Sequence, residues 1–554
     1  MLTYDMGNCG ACSMYDYLYR CIRGDIEAGA IAAGEKLPSK RALAKHLGVS
    51  VITVEAAYAQ LIAEGYVRAQ ERRGYFAEPL PTLTRACSGI SASAGFALGT
   101  RVRPANTAQP ASAARPANVV LPTSIVQSAD IAHPSASAAD LSCPSLLADF
   151  TSGAVASGLF PFSAWAKAVR ETLSYESEST LLSETPAMGL SRLRQVIAGH
   201  LHGFRGMAVD PDCIVVGAGA QVLYNMVVQL LGRNLPVAVE DPGYVRLASI
   251  YRANDVPVAH VPLDTGGISM SGLRASSSSV AHIMPSHQFP TGLVTSAARR
   301  YELLEWAVEA SGRYLVEDDY DCEFRFSGRP IPALQSIDAN ERVIYTNTFA
   351  KSLGPAFRIG YLVLPRHLAQ KFVNELGFYS CTVSAVDQLA LARFMESGNF
   401  ERHVNRMRVH YRSVKSQLIA SLKSSEFGKR LGSRLRFEAV EGGLHFVMAI
   451  DGVGEAVFTQ AARRTGVALA PLSGFYADAK AEAEAEASGS ARFVMSYGSL
   501  DSASIPDVSC ALAQALKNTH GSMPARSSTG YRSGTSTLST KRMSSCCVCT
   551  SSLR

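Results

Sequence analysis

The chain has 554 residues, of which 47% are hydrophobic and 18% are charged, and its net charge is +6 at pH 7. That length exceeds one ordinary hydrophobic core, so two or more domains are expected, and the mild charge does not by itself imply a polyanionic partner. No apolar run approaches the roughly 18 residues of a membrane helix, and the first residues lack the basic region and apolar core of a signal peptide. A cytoplasmic protein without a membrane partner is therefore expected.

The 12 cysteines are scattered along the chain. Cys9 and Cys12 form a CxxC pair, and Cys546, Cys547 and Cys549 lie near the end of the sequence. A structural zinc site needs four ligands at defined spacing, and neither group has a partner pair. We therefore predict free thiols and no metal site.

Helical patterns dominate residues 13–78. The first predicted helix carries apolar residues at helical spacing, namely Tyr15, Leu18, Ile22 and Ile26. Ser39 then caps a helix that Gly48 ends, and Ser50 caps a second helix. Two short helices joined by a tight glycine turn predict a helix-turn-helix, whose second helix enters the major groove of DNA. Residues 66–77 predict a short hairpin, the wing.

The charge of this segment predicts where DNA contacts must lie. Residues 13–78 contain nine basic and eight acidic side chains, a net charge of only +1. Any DNA contact must therefore depend on clustered basic groups near the two helices and on the wing. A helical dimerisation module is the alternative. The predicted DNA-binding residues are Ser39, Lys40, Arg41, Ser50, Thr53, Arg68, Arg72 and Arg73.

The rest of the chain changes composition twice. Residues 79–147 are rich in Ala, Ser and Pro, which predicts a flexible linker because such a segment buries little apolar surface. Strands and helices alternate over residues 149–518, the pattern of an α/β domain. Residues 519–554 are rich in Ser and Thr and predict a disordered tail.

Two apolar strands of the α/β domain end in polar residues. The first is followed by the acidic run 317–321, and the second, 343–346, leads into a loop that holds Thr348, Lys351, Ser352 and Arg358. Ligands of open α/β sheets bind at this carboxyl edge. Taken alone, a lysine in such a loop is more often solvated surface, and an acidic strand end is often only a solvated turn.

These residue types include those that the chemistry of pyridoxal phosphate (PLP) needs. The cofactor needs a lysine for an imine, an ionised acid beside its pyridine nitrogen, a donor to its phenolic oxygen and ligands for its phosphate. Lys351 among hydroxyls, with Arg358 seven positions on, suits an imine beside a phosphate. By this chemistry alone Asp318 and Asp319 are equivalent candidates for the acid.

The first domain also resembles a known family. The run GEKLPSKRALAKHLGVSVITVEAAYAQLIAEGYV, with RRGYF behind it, is similar to the winged-helix domain of the GntR regulators over its whole length. The resemblance implies binding to a double-stranded DNA operator. One departure is Val51, which follows Ser50 where that family usually has an arginine. An arginine-to-valine change removes a bidentate donor to a base.

Residues of about 149–515 resemble fold-type I aminotransferases, and most closely the MocR branch, which fuses a GntR domain to such a fold. The motifs are VVGAGAQ, VEDPGY, PSHQFPTG, EDDYDCEF, NTFAKSLGPAFRIGYLV and GGLHFV. The implied fold is multidomain. An α+β winged helix-turn-helix precedes an α/β aminotransferase-like domain of three α/β/α layers, which carries a small α+β C-terminal subdomain.

The resemblance also implies a role for individual residues. Lys351 forms the imine with PLP, Asp318 pairs with the pyridine nitrogen and Tyr320 bonds the phenolic oxygen. Tyr244 lies against the ring. The implied phosphate ligands are Arg358, Thr348, Ala220 and Gln221, of which Ala220 and Gln221 contribute backbone amides at a helix N-terminus.

Three positions depart from the aminotransferase pattern. Ala220 lacks the hydroxyl that commonly precedes the glutamine of the phosphate loop. Ser183 stands where a tyrosine often reaches the phosphate of the partner subunit, and Phe289 stands where an asparagine often bonds the phenolic oxygen. These departures predict a weaker hold on PLP and favour a regulator over an efficient transaminase.

The effector pocket has two arginine candidates. Classical aminotransferases clamp a substrate carboxylate with an arginine, and Arg492 and Arg246 are the candidates here, with surface arginines as the alternative. Tyr476 stands near the place where regulators sensing γ-aminobutyrate carry an arginine, which weakens that effector. His445 and Phe446 are predicted to pack in the small subdomain.

These observations predict a PLP-dependent DNA-binding regulator that senses PLP, an amino acid or an amine and controls vitamin B6 or amino-acid metabolism genes. We expect a homodimer. A coil linker of this length spans on the order of 40–50 Å root-mean-square, which permits a domain-swapped arrangement. The alternative is an active PLP-dependent aminotransferase with an accessory winged helix.

Overall fold

The computed structural model describes residues 2–4, 6, 13–70, 73–80, 146–326, 332–477 and 489–520. The predicted linker, 79–147, and the predicted tail, 519–554, lie almost entirely outside these residues, as does Arg72. Within them, no helix combines the length and the apolar composition needed to cross a membrane.

The N-terminal domain is a three-helix unit with a small antiparallel sheet. Its elements are α1 (Met14–Glu27), β1 (Lys36–Leu37), α2 (Lys40–Leu47), α3 (Val51–Ala63), β2 (Val67–Gln70) and β3 (Gly74–Ala77), with strand order β1-β3-β2. The predicted caps are present, since Ser39 Oγ accepts from the amide of Ala42 and Ser50 Oγ from that of Thr53. Gly48 ends α2 at φ +66°, a left-handed conformation that suits glycine.

The large domain is built on an eight-stranded mixed sheet of order β5-β12-β11-β10-β9-β6-β7-β8. Only β12 and β8 run antiparallel to their neighbours. The strands are β5 (Ile214–Gly217), β6 (Val237–Asp241), β7 (Val258–Asp264), β8 (Gly267–Ile268), β9 (Val280–Ile283), β10 (Tyr314–Asp318), β11 (Val343–Thr348) and β12 (Gly360–Val363).

Helices cover both faces of this sheet. One face packs on α7 (Ala220–Leu231), α8 (Val245–Ala253) and α12 (Arg366–Leu376). The other face packs on helices α4, α6, α10 and α13, at Phe162–Tyr175, Ser191–Arg205, Ala297–Val308 and Ala385–Glu396. The predicted three-layer α/β/α arrangement is confirmed. Shorter helices are α5 (Glu178–Leu182), α9 (Met270–Ala275) and α11 (Leu334–Ile337).

The small C-terminal subdomain is a four-stranded antiparallel sheet, β13-β14-β17-β16, covered by helices. Its strands are β13 (Leu435–Glu438), β14 (His445–Asp451), β16 (Ala470–Pro471) and β17 (Ser490–Ser496), and its helices are α14 (Asn399–Ser424), α15 (Glu426–Leu431), α16 (Glu455–Arg464) and a C-terminal helix (Ile505–His520). A short parallel pair, β4 (Ala148–Asp149) with β15 (Val467–Ala468), ties the start of the large domain to this subdomain.

The winged helix contacts the large domain at the N-terminus of α10. The amide of Ala297 donates to the carbonyl of Glu64 at 2.8 Å, and Ala297 is buried in the apolar core of the winged helix. The hydroxyl of Tyr301 donates to Glu27 at 2.9 Å. Gly65, at φ +77°, lies against Ser296 so closely that a Cβ there would come within 3.1 Å of the serine Cβ. The two domains are therefore packed together at this contact.

Candidate functional site

The predicted cofactor residues follow the carboxyl ends of neighbouring strands. Asp318 is the last residue of β10, Thr348 is the last of β11, and Gly219 follows β5 and begins α7. Lys351 lies in the loop between β11 and β12. Because these strands adjoin in the sheet, the fold places the four positions along one edge, where ligands of open α/β sheets bind.

Lys351 is half-buried at this edge, and its Nζ donates to the carbonyl of Gly153 at 3.3 Å. Burial lowers the pKa of the Lys351 ammonium below its ordinary value, and the charge of Asp321 opposes that change. A lower pKa increases the fraction of neutral amine, which is the form that condenses with an aldehyde. The environment of this lysine thus suits a nucleophile.

The structure separates the two acids, Asp318 and Asp319, that residue chemistry alone left equivalent. The side chain of Asp318 meets the hydroxyl of Tyr224 at 2.5 Å and lies 3.7 Å from Nε2 of His282. Asp319 points to the opposite side, because successive side chains of an extended chain alternate. There it forms a buried ion pair with Arg205 at 2.6 Å and accepts a hydrogen bond from Tyr345.

Tyr244 is influenced electrostatically by Asp318 and by the predicted phosphate residue Arg358. Burial raises the pKa of Tyr244, and the charges of Asp318 and Arg358 also act on it. Its ring packs edge-on to Phe289 at 6.1 Å between centroids. The predicted ring-face residue, acid and arginine therefore lie within electrostatic reach of one another.

The N-terminus of α7 and Arg358 form a corner that is the candidate anion-binding site. Gly219, the N-cap of α7, makes no side-chain cap bond, so the helix begins without a side-chain acceptor for its first amides. The guanidinium of Arg358 lies directly over this glycine, and a Cβ there would be 2.6 Å from its Nη2. Arg358 is exposed and donates to the carbonyl of Ala218 at 3.2 Å. Ala220 and Gln221 are the first two residues of α7, so their amides point into this corner.

The register of the strands places Thr348 beside the same corner. It pairs with Gly360 on β12, which in turn pairs with Gly217 at the end of β5. The predicted phosphate residues Thr348, Arg358, Ala220 and Gln221 are thus brought together by the fold. Ser183, where a tyrosine was expected, is exposed at the end of α5.

A polar group that sequence reasoning missed lies beside Tyr320 and Lys351. Nδ1 of His287 is 2.9 Å from Asp321 and 3.2 Å from the hydroxyl of Tyr320. The His287 ring is 4.4 Å from that of His445, and Nε2 of each histidine is buried without a hydrogen-bond partner among the described residues. His287 lies in PSHQFPTG and Asp321 in EDDYDCEF, so both occur in motifs noted above only for their resemblance.

His445 differs from its predicted place in the small subdomain. It begins β14, but its ring faces the large domain, 5.2 Å from Phe289. Burial, together with the nearby charges of His287 and Lys351, holds the pKa of His445 well below its usual value. Phe446 does pack in the core of the small subdomain. The alternation along β14 explains why neighbouring residues face different domains.

The same group contains side chains that could hold a metal ion. One ligand atom from each of His287, Asp321 and His445 lies within 4.8 Å of the others, and all three residues are buried. The group borders the predicted cofactor site. The absence of a metal stays a prediction.

The two effector arginines lie apart from each other. Arg492 forms an ion pair with Glu438 and lines a cavity of about 410 Å³ whose other lining residues all belong to the small subdomain. Arg246 is exposed in the first turn of α8 and lowers the pKa of the Tyr244 hydroxyl against the effect of burial. Of the two, Arg246 lies nearer to the cofactor residues, through its contact with Tyr244.

The predicted DNA-binding residues lie on α2, α3 and the hairpin β2–β3. Lys40 is paired with Glu55 and Arg68 with Glu78, whereas Arg41 and Arg73 are exposed. The hydroxyls of Ser39 and Ser50 act as helix caps, and Thr53 lies one turn into α3. The structure therefore brings these residues, apart from the undescribed Arg72, onto the two helices and the hairpin of one domain.

Comparison with known proteins agrees with this division. Residues 148–501 match the family described as aminotransferase class I and II, and residues 14–76 match the bacterial regulatory proteins of the gntR family. The fold also resembles that of a multiple substrate aminotransferase from Thermococcus profundus. The TM-score is 0.58 at 22% identity, over 68% of this chain and 93% of that one. A DNA-binding domain joined to an aminotransferase-like domain defines a class of transcriptional regulators.

Relatives that match this chain over most of their own length place it within that class. It is 33% identical to the HTH-type transcriptional regulator YdeL of Bacillus subtilis over 83% of this chain and 89% of the relative. It is 30% identical to the probable rhizopine catabolism regulatory protein MocR of Rhizobium meliloti over 83% and 86%, and 30% identical to the pyridoxine biosynthesis regulator PdxR of Corynebacterium glutamicum over 82% and 87%. The chain belongs to the MocR-type subfamily of GntR transcriptional regulators.

Proposed function

We propose that this regulator binds PLP covalently through Lys351 and senses either PLP itself or an amino compound that reacts with it. The arrangement that carries the proposal is the convergence of Lys351, Asp318 and the Arg358–Gly219 corner at one sheet edge. PLP supplies an aldehyde for the lysine, a ring nitrogen for the acid and a phosphate for the corner, so the residues present fit the group. The family is PLP-dependent, which supports the same assignment.

Each of these side chains has a distinct part in holding the cofactor. Lys351, whose pKa is lowered by burial, would form the covalent linkage. Asp318 would accept from the protonated ring nitrogen while Tyr224 fixes its carboxylate, and Tyr320 would donate to the phenolic oxygen. The positive charge of Arg358 and the amides at the start of α7 would hold the phosphate.

The covalent linkage is tested by borohydride reduction of the full chain after incubation with PLP, followed by peptide mapping. The expected adduct lies on Lys351 and is absent from the Lys351→Ala protein. Lys423→Ala, which removes an exposed lysine of α14, is the matched control and retains the adduct. An adduct of equal yield in Lys351→Ala would overturn the lysine assignment.

Regulation is tested on the promoter beside the gene that encodes this chain. A gel shift and footprint with and without PLP should show protection whose extent or pattern depends on PLP. The relative PdxR carries pyridoxine biosynthesis in its name and MocR rhizopine catabolism, which supports control of vitamin B6 genes or of the catabolism of an amino compound. No protection under either condition would overturn the proposal.

The homodimer is supported by exposed apolar side chains on segments next to the Arg358–Gly219 corner. These side chains are Tyr175, Leu182, Phe378 and Tyr379. Ser380 donates to Glu184, and Thr382 accepts from the amide of Ala218, so the segments that follow Leu182 and Tyr379 meet beside the loop below Arg358. Exposed apolar surface of this kind marks an interaction site, and a second copy there would cover the corner. Leu182→Glu should shift the protein from dimer to monomer in sedimentation analysis.

An active aminotransferase is the second candidate, favoured by the complete set of lysine, acid and phosphate residues. Single-turnover absorbance with a panel of amino acids separates the two candidates. Conversion to the pyridoxamine form with repeated turnover supports the enzyme, whereas binding that stalls before turnover supports the sensor.

A further inference from the structure

The first turn of the recognition helix, α3, uses its polar side chains within the domain. Ser50 Oγ accepts from the amide of Thr53 at 3.0 Å and is 2.8 Å from its hydroxyl. On the neighbouring helix α2, Lys40 is held by Glu55 of α3. The hydrogen-bonding groups at this end of α3 are therefore already engaged with one another.

The same turn presents two branched apolar side chains to solvent. Val51 is 42% exposed and Ile52 is 76% exposed, whereas Val54, Ala57 and Leu61 farther along α3 are fully buried. The buried residues supply the core face of an amphipathic helix. Val51 and Ile52 lie outside that face, at the end of a recognition helix that contacts base edges.

Exposed basic residues lie on the neighbouring elements of the same domain. Arg41 and Lys45 are exposed on α2, and Arg73 and Arg68, the latter paired with Glu78, lie on the hairpin. Such residues meet phosphates on either side of a groove and set the register of the helix between them. The charges thus identify duplex DNA as the partner that covers Val51 and Ile52.

Only one base offers an apolar group in the major groove, the C5-methyl of thymine. We propose that Val51 and Ile52 contact thymine methyl groups in the operator, so that this regulator selects thymine where a GntR arginine would hydrogen-bond a base. The proposal rests on sequence-specific DNA binding by the winged helix. It assigns specificity to two side chains that carry no charge and donate no side-chain hydrogen bond.

The test compares thymine with uracil, which has the same hydrogen-bonding groups but no methyl. In vitro selection with the full chain first yields a bound sequence, and each thymine in it is then replaced by uracil. Loss of one buried methyl contact corresponds to about a fourfold fall in affinity. We expect that fall at one or two positions in each half-site.

Variants then assign the effect to residues. In Ile52→Ala or Val51→Ala the uracil penalty at the matching position should disappear, because the partner of the methyl is gone. Ile62→Ala is the matched control, since Ile62 is also an exposed isoleucine of α3, 36% exposed, but lies at the opposite end of the helix. That variant should keep the penalty.

The outcomes separate this proposal from the function on which it rests. A selected sequence whose binding is indifferent to uracil at every position, or a uracil penalty that persists in both alanine variants, would overturn the thymine assignment alone. Failure to select any sequence would overturn sequence-specific DNA binding and the assignment together.

Discussion

Replacement of Gly219 by alanine tests the anion-binding corner through its backbone. Gly219 has φ +83° and ψ 173°, a conformation that is essentially restricted to glycine. A Cβ there would lie 2.6 Å from Nη2 and 2.7 Å from Cζ of Arg358, so the guanidinium must move. Gly232, at the other end of α7, has φ +100° and ψ 150°, but a Cβ there would meet nothing within 4 Å.

Gly219→Ala and Gly232→Ala share the backbone strain, but they differ in their effect on Arg358. Backbone strain destabilises each by about 1–3 kcal/mol. Only Gly219→Ala displaces Arg358, and on the proposed assignment this removes a charge-assisted hydrogen bond of about 1.5–3 kcal/mol to the PLP phosphate. That loss corresponds to roughly a ten- to hundredfold increase in the Kd for PLP.

Absorbance titration of the PLP-free protein measures the Kd, and the thermal unfolding midpoint of each variant without PLP measures the shared strain. Both midpoints should fall by similar amounts, while only Gly219→Ala binds PLP more weakly. Equal PLP affinities for the two variants would refute the assignment of the corner to the phosphate. If the unfolding midpoint fell in neither variant, the strain argument would be refuted.

Three further predictions concern the acids and the domain contact. Asp319→Asn should lower the free energy of unfolding by about 3–5 kcal/mol in denaturant titration, because the buried Arg205 loses the carboxylate of its ion pair. Asp318→Asn should mainly weaken PLP binding. The reverse pattern would contradict the assignment of Asp319 to the Arg205 side and of Asp318 to the cofactor side. Burial raises the pKa of Glu240 from 4.5 to about 8, so the folded state keeps a proton that the unfolded state releases, and stability should fall as the pH rises from about 4.5 to about 8. Glu240→Gln should flatten that part of the pH profile of the unfolding midpoint, and an unchanged slope would contradict the assignment. Tyr301→Phe removes a hydroxyl that donates to the winged helix, so hydrogen exchange at the C-terminal end of α1 should increase while exchange in the large sheet does not change.

Local signals were sufficient for the elements of the winged helix. Ser39 and Ser50 cap their helices as predicted because the capping bond spans only three residues. The alternation of strands and helices likewise predicted an α/β domain, and the resemblance to fold-type I aminotransferases implied its three layers. The order of polar residues after two strands was enough to place Lys351 and Arg358 at one edge of the sheet.

Contacts between segments distant in sequence were not predictable in the same way. The partner of Arg492 is Glu438, 54 residues away, and the place of His445 beside His287 depends on how the small subdomain packs on the large one. The contact between Ala297 and the winged helix joins residues on opposite sides of the predicted linker. Nothing in the local pattern around these residues indicates such partners.

The sequence by itself determined the two domains, the recognition helix and the identity of Lys351 as the candidate cofactor lysine. The domains and the helix depend on periodicity, caps and turns, whereas Lys351 and Asp318 were assigned through the resemblance to fold-type I aminotransferases. Only the tertiary structure decided which side each acid faces, because Asp318 meets Tyr224 of α7 and Asp319 meets Arg205 of α6. It also placed the guanidinium of Arg358 over Gly219, since that contact requires β5 and β12 to pair in one register of the folded sheet.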